Sequence, residues 1–505
     1  MTALPPLADR WDDAVSAGLD APALLRYRSN LLGADLAITN FGGGNTSSKL
    51  PMPDPLTGAE VEVLWVKGSG GDLGSMDLAG FATLYQDKVL ALRGLYGGPS
   101  QEDAMVGLLN HCVFALNPRA PSIDTTLHAF VPYPHVDHVH PDAVIAIAAS
   151  ADAERLTADV FQGEIGYLPW RRPGFELGLQ IGAMASDHPH LKGVVLGAHG
   201  LFTWGATQKE CYQTTLRIIR RAQEWLGANA AEPALGGAKV EAMTPAARAA
   251  EAARLMPLIK GRIAEGGAKV GHFSDTPEVL AFVNSNTFET LAPMGTSCPD
   301  HFLRTKISPL ILPAGIEGAA LDGALAEYRA AYAAYYERCR HPESPAMRDA
   351  NAVVYLVPAV GMITFARDKA TARIAAEFYT NAINVMRGAS GVSSYQGLPE
   401  QEAFDIEYWL LEEAKLQRMP RPKPLAGRVA LVTGAAGGIG SATCARLMAD
   451  GAVVVATDIN ADALEATVGA LRKSFGRDAA VGVAMDVTRE DSVIAAFAAA
   501  ARAFG

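Results

Sequence analysis

The chain has 505 residues, 49% of them hydrophobic and 19% charged, which is typical of a soluble globular protein too long for one core. Its formal net charge of −11 argues against nucleic acid or an anionic membrane as the main partner. The length predicts two to four domains. The five scattered cysteines form no CxxC pair, no apolar run approaches ~18 residues, and there is no signal peptide, so we expect a reduced, cytoplasmic protein.

Two glycine-rich loops follow a helix predicted over residues 7–32. The sequence A-I-T-N-F-G-G-G-N-T-S-S-K-L, residues 37–50, predicts a short strand, a loop and a second strand. Its three glycines let the backbone aim N–H groups at an anion, and Asn45 adds a side-chain donor. The second loop, K-G-S-G, begins at Lys67, where a strand ends. Each loop alone could be an ordinary turn and Lys67 a solvated charge, but together the two favour a phosphate site.

Residues 122–140, S-I-D-T-T-L-H-A-F-V-P-Y-P-H-V-D-H-V-H, hold four of the eleven histidines. His138 and His140 are two residues apart, so a β-strand would put both on one face, about 7 Å apart along the chain. His199 occupies a glycine-bracketed turn at the end of a second apolar strand. Three neutral imidazoles with an open position suit catalytic zinc, although an isolated His-x-His pair is more often a core or surface feature.

The middle of the chain predicts the first two domain boundaries. A helix that ends at about residue 226 closes a first α/β domain, residues 1–226. Small and polar residues over 227–236 predict a linker, and the alternating helices and strands of 237–418 predict an α/β extension of the first domain. Within the extension, T-S-C-P-D-H-F-L-R-T-K, residues 296–306, could be a solvated loop or a further set of substrate or subunit contacts.

A proline linker, residues 419–424, precedes a third domain predicted over 425–505. The sequence G-R-V-A-L-V-T-G-A-A-G-G-I-G, residues 427–440, is an apolar strand, a glycine-rich turn and a helix start. The next strand ends in Asp458, at about the 20-residue spacing of the dinucleotide-binding fingerprint. Asp458 should accept hydrogen bonds from the adenosine ribose and disfavour a 2′-phosphate, so we expect NAD rather than NADP. The residues predicted to contact the cofactor are Gly434, Gly438, Ile439, Gly440, Asp458, Asp486 and Val487.

Five motifs in order resemble the class II, zinc-dependent aldolases of the fuculose-phosphate and rhamnulose-phosphate type. They are G-G-N-T-S (43–47), K-G-S-G (67–70), P-S-I-D (121–124), H-V-H (138–140) and A-H-G (198–200). T-G-A-A-G-G-I-G (433–440) resembles short-chain dehydrogenases, and the combination resembles the bifunctional rhamnulose-1-phosphate aldolase/dehydrogenase family over nearly the whole chain. The resemblance implies an aldolase-like α/β/α domain with a central, mainly antiparallel sheet, followed by a partial Rossmann-type parallel α/β domain.

The resemblance also implies residue roles. His138, His140 and His199 would be the zinc ligands, and Asp124 the catalytic acid/base. The positions where the family grips the ketose phosphate are Asn45, Ser69, Gly70 and Ser122. Two departures affect this site: Asp124 stands where the family usually has Glu, and Ile123 replaces a serine that would donate to the phosphate.

The implied reaction is the zinc-dependent retro-aldol cleavage of a 6-deoxyketose 1-phosphate, with L-rhamnulose 1-phosphate favoured. Its products would be dihydroxyacetone phosphate and L-lactaldehyde. Zinc would act as a Lewis acid while Asp124 shuttles protons. In the intact protein the NAD-dependent domain would consume the aldehyde, and the resemblance makes a homo-oligomer expected.

Two alternatives stay open at this point. Zinc-dependent sugar-phosphate epimerases and dehydratases use the same scaffold and histidines. A non-catalytic relative, as in the adducin head, would be a scaffold, but it would not need three histidines and an acid. The sequence does not separate rhamnulose from fuculose phosphate either, because pocket shape distinguishes stereocentres.

Short-chain dehydrogenases carry a Tyr-x-x-x-Lys pair and a serine well beyond the glycine-rich turn. From Gly427 to Gly505 there is no tyrosine, and the only lysine is Lys473. We therefore expect the sequence as given to be truncated, to bind NAD weakly if at all and to transfer no hydride by itself.

Overall fold

The computed structural model describes residues 7–117, 119–417 and 421–505. The chain forms two compact units that interleave along the sequence. Unit 1 comprises Met1–Ala234, Ser297–Asp300 and Asn384–Leu398, and unit 2 comprises Leu235–Thr296, His301–Ile383 and Pro399–Gly505. The predicted domain boundaries, 1–226, 237–418 and 425–505, stay predictions.

A seven-stranded sheet forms the centre of unit 1. Its strands are β1 (Asn45–Pro53), β2 (Glu60–Lys67), β3 (Phe81–Tyr85), β4 (His135–Val139), β5 (Ile165–Leu168), β6 (Gly193–Leu196) and β7 (Gly200–Gly205). They lie in the order β3-β2-β1-β4-β7-β6-β5, and every neighbouring pair is antiparallel except β5 with β6. This confirms the mainly antiparallel sheet.

Helices cover both faces of this sheet. They are α1 (Asp13–Ser16), α2 (Ala21–Gly33), α3 (Gln86–Ala91), α4 (Glu102–Leu108), α5 (Thr125–Ala129), α6 (Asp142–Ala148), α7 (Ala153–Phe161), α8 (Phe175–Asp187) and α9 (Gln208–Asn229). Neighbouring strand residues point to opposite faces. Val195 therefore packs with apolar residues of α6, α7 and α9, whereas Val194 packs with those of α5 and α8. These three layers confirm the predicted α/β/α architecture.

The first glycine-rich loop differs from the prediction. No strand precedes it, because residues 37–44 form turns and β1 begins only at Asn45. The carbonyl of Asp35 accepts the N–H groups of Ile38 and Thr39, which curls the chain where the apolar residues suggested a strand. The predicted helix over 7–32 is also wrong in part, since it is two helices separated by a turn.

Unit 2 contains a second sheet with the order β8-β11-β10-β9. Its strands are β8 (Val270–Ser274), β9 (Leu310–Ile311), β10 (Val354–Val357) and β11 (Gly361–Ala366). The helices of this stretch are α10 (Pro245–Arg262), α11 (Pro277–Val283), α12 (Phe288–Leu291), α13 (Pro299–Thr305), α14 (Gly318–Cys339), α15 (Lys369–Val392), α16 (Glu400–Glu407) and α17 (Leu410–Gln417). Helices α13 and α15 each carry residues of both units. Helix α9 extends to Asn229, into the segment predicted as a linker.

The last part of unit 2 is a parallel α/β layer. Strands β12 (Val429–Thr433), β13 (Val453–Asp458) and β14 (Ala480–Ala484) lie in that order and alternate with α18 (Gly438–Ala449), α19 (Ala461–Phe475) and α20 (Glu490–Phe504). This confirms the partial Rossmann-type domain. Residues 419 and 420 of the predicted linker lie outside the described residues. No described helix combines the length and apolar character that crossing a membrane requires.

Candidate functional site

Three imidazoles converge at one edge of the sheet of unit 1. His138 lies in β4, His140 follows the end of that strand, and His199 lies in the turn between β6 and β7. Their ring centroids are 4.6, 4.9 and 5.2 Å apart, and one nitrogen of each lies within 4.8 Å of the others. Gly200 makes this approach possible, because a Cβ there would lie 2.8 Å from Cδ2 of His140. The structure thus brings the three predicted ligands together.

Hydrogen bonds orient two of these rings. Nδ1 of His138 is 3.1 Å from the carbonyl oxygen of Leu201, and Nδ1 of His140 is 2.8 Å from a carboxylate oxygen of Asp300. The Nε2 atoms of both rings therefore face each other, 3.0 Å apart. Two nitrogens bound to one tetrahedral zinc ion at 2.0–2.1 Å would be about 3.3 Å apart. The pair is already close to the spacing that a zinc site needs.

His199 supplies the third nitrogen. Its side chain is buried, and within the described part of the chain its Nδ1 has no hydrogen-bond partner. A buried polar atom without a partner is costly unless something else satisfies it. The three histidines therefore fit a divalent cation with imidazole ligands, as the sequence suggested.

The pKa values of the three imidazoles differ because their surroundings differ. Burial lowers the pKa of His199 to about 3 and, together with the neighbouring imidazoles, holds the pKa of His138 well below its ordinary value. Burial alone would also lower the pKa of His140, but Cys298 and Asp300 raise it well above the ordinary value. A cation at this site would take the place of a proton on Nε2 of His140.

Asp124 lies at the N-terminus of α5 and is half-buried. The Nδ2 group of Asn45 donates to its Oδ2 at 2.5 Å, and Oγ of Ser122 is 3.4 Å from the same oxygen. Asn45 is the register partner of His138 across β1 and β4. The predicted acid/base is therefore held by the strand that lies beside the histidine strand.

The two glycine-rich loops and the P-S-I-D segment meet beside this carboxylate. Nζ of Lys67 donates to the carbonyl of Gly42 at 3.0 Å, which joins the two loops. The backbone N–H of Ser69 donates to the carbonyl of Ala120 at 3.0 Å, which joins the second loop to the segment containing Ser122. The structure therefore gathers Asn45, Ser69, Gly70 and Ser122, although the N–H of Ser69 is already used.

Sequence reasoning missed a basic residue at this place. Arg119 is exposed, and its Nη1 donates to the carbonyl of Gly70 at 2.9 Å. No glycine pattern or strand spacing points to it, because it precedes the P-S-I-D motif in an irregular segment. It adds positive charge to the loops predicted to hold a phosphate.

The segment 296–306 also contributes to the site, through its first residues. Cys298 is buried, and its Sγ lies 3.8 Å from Nδ1 of His140 and 3.5 Å from the carbonyl of His199. Asp300, in the first turn of α13, makes the 2.8 Å contact with His140. The prediction had assigned no role to either residue.

Other histidines of the 122–140 stretch have structural partners. Nδ1 of His128 is 2.9 Å from Oγ of Ser47, and burial lowers the pKa of His128 to about 3. Nδ1 of His135 is 2.9 Å from Oγ of Ser48. These contacts tie β1 to its neighbours and leave the metal-ligand role to the other pair.

The predicted cofactor residues surround the turn between β12 and α18 and the ends of β13 and β14. Gly434 has a φ of +63°, and a Cβ on Gly440 would lie 2.1 Å from the carbonyl oxygen of Gly434, so both positions require glycine. Hydrogen bonds from the backbone N–H groups of Asn460 and Ala436 lower the pKa of Asp458. The bond from Ala436, 3.0 Å long, places this carboxylate beside the glycine-rich turn. The remaining predicted positions are Gly438 and Ile439 at the start of α18 and Asp486 and Val487 beyond β14.

Family models match most of the chain. The Class II Aldolase and Adducin N-terminal domain matches residues 27–226, Aldolase class II, second domain, matches 250–416, and short chain dehydrogenase matches 428–505. With the fold and site above, these matches define an enzyme with a lyase part and an oxidoreductase part.

A relative in Bacillus subtilis (strain 168), the uncharacterized oxidoreductase YuxG, shares this arrangement over its matched length. It is 36% identical over 504 residues, which are 98% of this chain and 73% of the relative. The chain belongs to the family that joins class II aldolase domains to a short-chain dehydrogenase domain.

Two further relatives each match one part. The 2-dehydro-3-deoxy-L-rhamnonate dehydrogenase (NAD(+)) of Sphingomonas sp. (strain SKA58) is 42% identical over 80 residues, which are 16% of this chain and 30% of that protein. The solved N-terminal class II aldolase domain of a conserved protein from Thermoplasma acidophilum is 33% identical, with a TM-score of 0.39, and covers 44% of this chain and 97% of that one.

Proposed function

We propose that the chain cleaves L-rhamnulose 1-phosphate by a zinc-dependent retro-aldol reaction to dihydroxyacetone phosphate and L-lactaldehyde. The observation that carries this proposal is the convergence of three buried imidazoles in the sheet that also holds the Asn45–Asp124 pair. His138, His140 and His199 would hold the metal. Bound zinc supplies a Lewis acid that stabilises negative charge on the substrate oxygens.

Asp124 moves the proton in this proposal. Its carboxylate accepts the proton of the C4 hydroxyl, the C3–C4 electron pair passes to C3, and C4 becomes the aldehyde carbonyl. The carboxylic acid then returns the proton to C3 of the three-carbon product, so the proton count balances. The 2.5 Å hydrogen bond from Asn45 fixes the carboxylate for both transfers. The side chain of Asp124 is shorter by one methylene than the Glu usual in the family. The hydrogen bond from Asn45 would therefore determine where its carboxylate stands relative to the substrate.

The glycine-rich loops would bind the substrate phosphate. Gly70 has a φ of +75° in the turn after β2, and the bond from Ser69 N–H to the carbonyl of Ala120 brings the segment with Ser122 beside this turn. Lys67 and Arg119 supply the positive charge that a phosphate dianion requires. Ile123 is buried and offers no donor, so these two cations carry more of the binding.

The dehydrogenase part would use NAD to oxidise the aldehyde in the intact protein. The carboxylate of Asp458, held over the glycine turn, favours a ribose with a free 2′-hydroxyl. The Sphingomonas relative is named as an NAD(+) enzyme, which agrees with this choice. The 80 matched residues cover only 30% of that relative, so this activity belongs to the proposal for the whole protein. The homo-oligomer is likewise an untested prediction.

A product assay tests the lyase proposal. The zinc-loaded chain is incubated with L-rhamnulose 1-phosphate or L-fuculose 1-phosphate, and dihydroxyacetone phosphate is followed with a coupled dehydrogenase. We expect release from both, faster with the rhamnulose compound, and none with His199→Ala. Conversion of either substrate to an isomer without a three-carbon product would instead support an epimerase.

A further inference from the structure

The contact between His140 and Asp300 joins residues that are far apart in sequence. Asp300 stands in the first turn of α13, and its Oδ2 lies 2.8 Å from Nδ1 of His140. Of the two side chains, His140 is 3% exposed and Asp300 is 36% exposed, so Asp300 joins the buried ring to a side chain that is partly in solvent. Both residues belong to unit 1.

The first glycine-rich loop leaves room for this carboxylate. A Cβ on Gly43 would lie 2.6 Å from Oδ2 of Asp300, so any side chain there would push the carboxylate away. The glycine therefore has a use beyond anion binding. It lets Asp300 reach His140 across the loop.

Asp300 is the stronger acceptor beside this ring. The thiol of Cys298 is farther from Nδ1 of His140, at 3.8 Å, and it can donate to the carbonyl of His199 at 3.5 Å. A carboxylate oxygen 2.8 Å from Nδ1 favours a proton on Nδ1, so the tautomer of neutral His140 has its lone pair on Nε2. That is the atom that faces Nε2 of His138 at 3.0 Å.

We propose that Asp300 is a positioning residue that holds His140 in the tautomer and orientation required for metal binding. The inference rests on the proposed metal site. A carboxylate that accepts the second ring proton of a ligating histidine raises the basicity of the ligand and fixes its ring, and losing one typically weakens metal binding 10–100-fold. The segment 296–306 would then serve the site through α13.

Metal affinity, and not turnover, is the direct test. The full chain is stripped of metal, and its zinc affinity is measured by competition with a chromophoric chelator. We expect about 10-fold weaker binding for Asp300→Asn, whose amide oxygen still accepts a hydrogen bond, and up to about 100-fold for Asp300→Ala. At saturation, both variants should still bind one zinc per chain.

A spectroscopic signature separates positioning from a general effect on folding. Cobalt(II) bound to the wild type and to Asp300→Asn should differ in its visible absorption, because the ring of His140 is held differently. The metal-free proteins should unfold at the same temperature. Asp405→Asn is the matched control, since it breaks an exposed carboxylate contact, 2.8 Å from Nε2 of His341, and should leave zinc affinity unchanged.

Two results would overturn the inference. One is wild-type zinc affinity in Asp300→Asn, which is similar enough in size to fold even where Asp300→Ala does not. The other is the loss of a second zinc equivalent from either variant, which would make Asp300 a ligand together with Cys298. Failure of the proposed function gives a different result, because the product assay would then release no dihydroxyacetone phosphate, while an epimerase that uses the same three histidines would still bind zinc and show the Asp300 effect.

Discussion

At the scale of single residues, His199 is the most sensitive probe of the metal site. It is buried, and in the described chain its Nδ1 lacks a hydrogen-bond partner, unlike Nδ1 of His138 and His140. We expect His199→Ala to lose bound zinc, because two imidazoles remain where a structural or catalytic site needs at least three protein ligands. Elemental analysis after dialysis measures this, and full zinc occupancy in the variant would contradict the assignment.

The role of Asp124 is separable from metal binding. Its hydrogen bonds include those with Asn45 and Ser122. We expect Asp124→Asn to keep its zinc and to lose turnover by about 10²–10⁴-fold, the usual cost of removing a general acid/base. Steady-state cleavage rates and zinc content are measured on one preparation. Cleavage at the wild-type rate would mean that another group moves the proton.

The sequence predicts these residues to different degrees. The strand period of two is enough to place His138 and His140 on one face, and the glycine-bracketed turn marks His199. Asp300 was not predictable in this way, because its contact with His140 crosses a large sequence separation and follows no period. The contact of Arg119 with the second glycine-rich loop was not predicted either, because Arg119 lies in an irregular segment without a periodic pattern.

At the scale of elements, β4 presents opposite chemistry on its two faces. His138 faces the site, while Asp137 points to the other side and pairs with Arg28 of α2 at 3.1 Å. Both charges are fully buried, and the guanidinium also donates to the carbonyl of Ser47 at 2.6 Å. This pair anchors α2 on the face of β4 opposite to His138.

Breaking the buried ion pair should destabilise unit 1. We expect Asp137→Asn to lower the free energy of unfolding by about 3–5 kcal/mol, because it leaves the Arg28 charge buried without its counterion. Denaturant unfolding followed by tryptophan fluorescence reports mainly on unit 1. The tryptophans of that unit are Trp11, Trp65, Trp170, Trp204 and Trp225.

The exposed pair of Lys209 and Asp13, 2.7 Å apart in the same unit, provides the comparison for this measurement. Lys209→Met should change stability by no more than about 0.5 kcal/mol. An equal, small effect of both substitutions would show that Asp137 does not anchor the sheet.

Lys49 of β1 gives the same unit a pH dependence. Its Nζ donates to the carbonyls of Val131 and Tyr133, and burial lowers its pKa from 10.5 to about 8. Between these values the unfolded chain binds more protons, so this contribution to stability rises with pH from about 8 to 10.5 and is constant at its lower level below about 8. The shift corresponds to about 3 kcal/mol.

The difference in unfolding free energy between wild type and Lys49→Met isolates this effect from other titrating groups. We expect the difference to change with pH across that window and to be constant above it. Lys209→Met, which alters an exposed lysine contact of the same unit, should follow the wild type across this pH window. A pH-independent difference for Lys49→Met would show that this amine titrates normally.

Elements were predicted well where the pattern is long and periodic. The apolar strand β12 with its glycine turn, and the strands before Lys67 and His199, lie where expected. The short strand predicted at the start of residues 37–50 is not formed, because the N–H groups of Ile38 and Thr39 donate to the carbonyl of Asp35 in a local turn. Short apolar runs carry too little periodicity to distinguish these outcomes.

At the scale of the whole molecule, unit 1 is not a continuous stretch of sequence. Residues 384–398 return to it, where Tyr395 is buried, and the N–H of Gln396 donates to the carbonyl of Ala149 at 2.7 Å. Neither the motifs nor the composition predicts that residues 384–398 belong to unit 1, because this depends on contacts between segments far apart in sequence. The sequence predicted an α/β extension but not its share in the first unit.

A fragment of residues 1–234 should therefore be incomplete although it holds all three histidines. It lacks Asp300 and the 384–398 segment, so we expect it to unfold at a lower temperature than unit 1 in the full chain and to bind zinc more weakly. Calorimetry and chelator competition measure both. Equal values for the fragment and the full chain would show that the later segments add nothing to the unit.

The interleaving of unit 1 also sets the order of events on the ribosome. The three histidines proposed to bind zinc are synthesised early, whereas the last segment of their unit ends about 160 residues after residue 234. The delay is on the order of 10–30 s at usual elongation rates. During that interval the nascent unit lacks residues 384–398, including the hydrogen bond from Gln396 to the carbonyl of Ala149. A chaperone or an early-captured metal ion would have its greatest effect on yield during this interval, and slow codons between 235 and 398 would lengthen it.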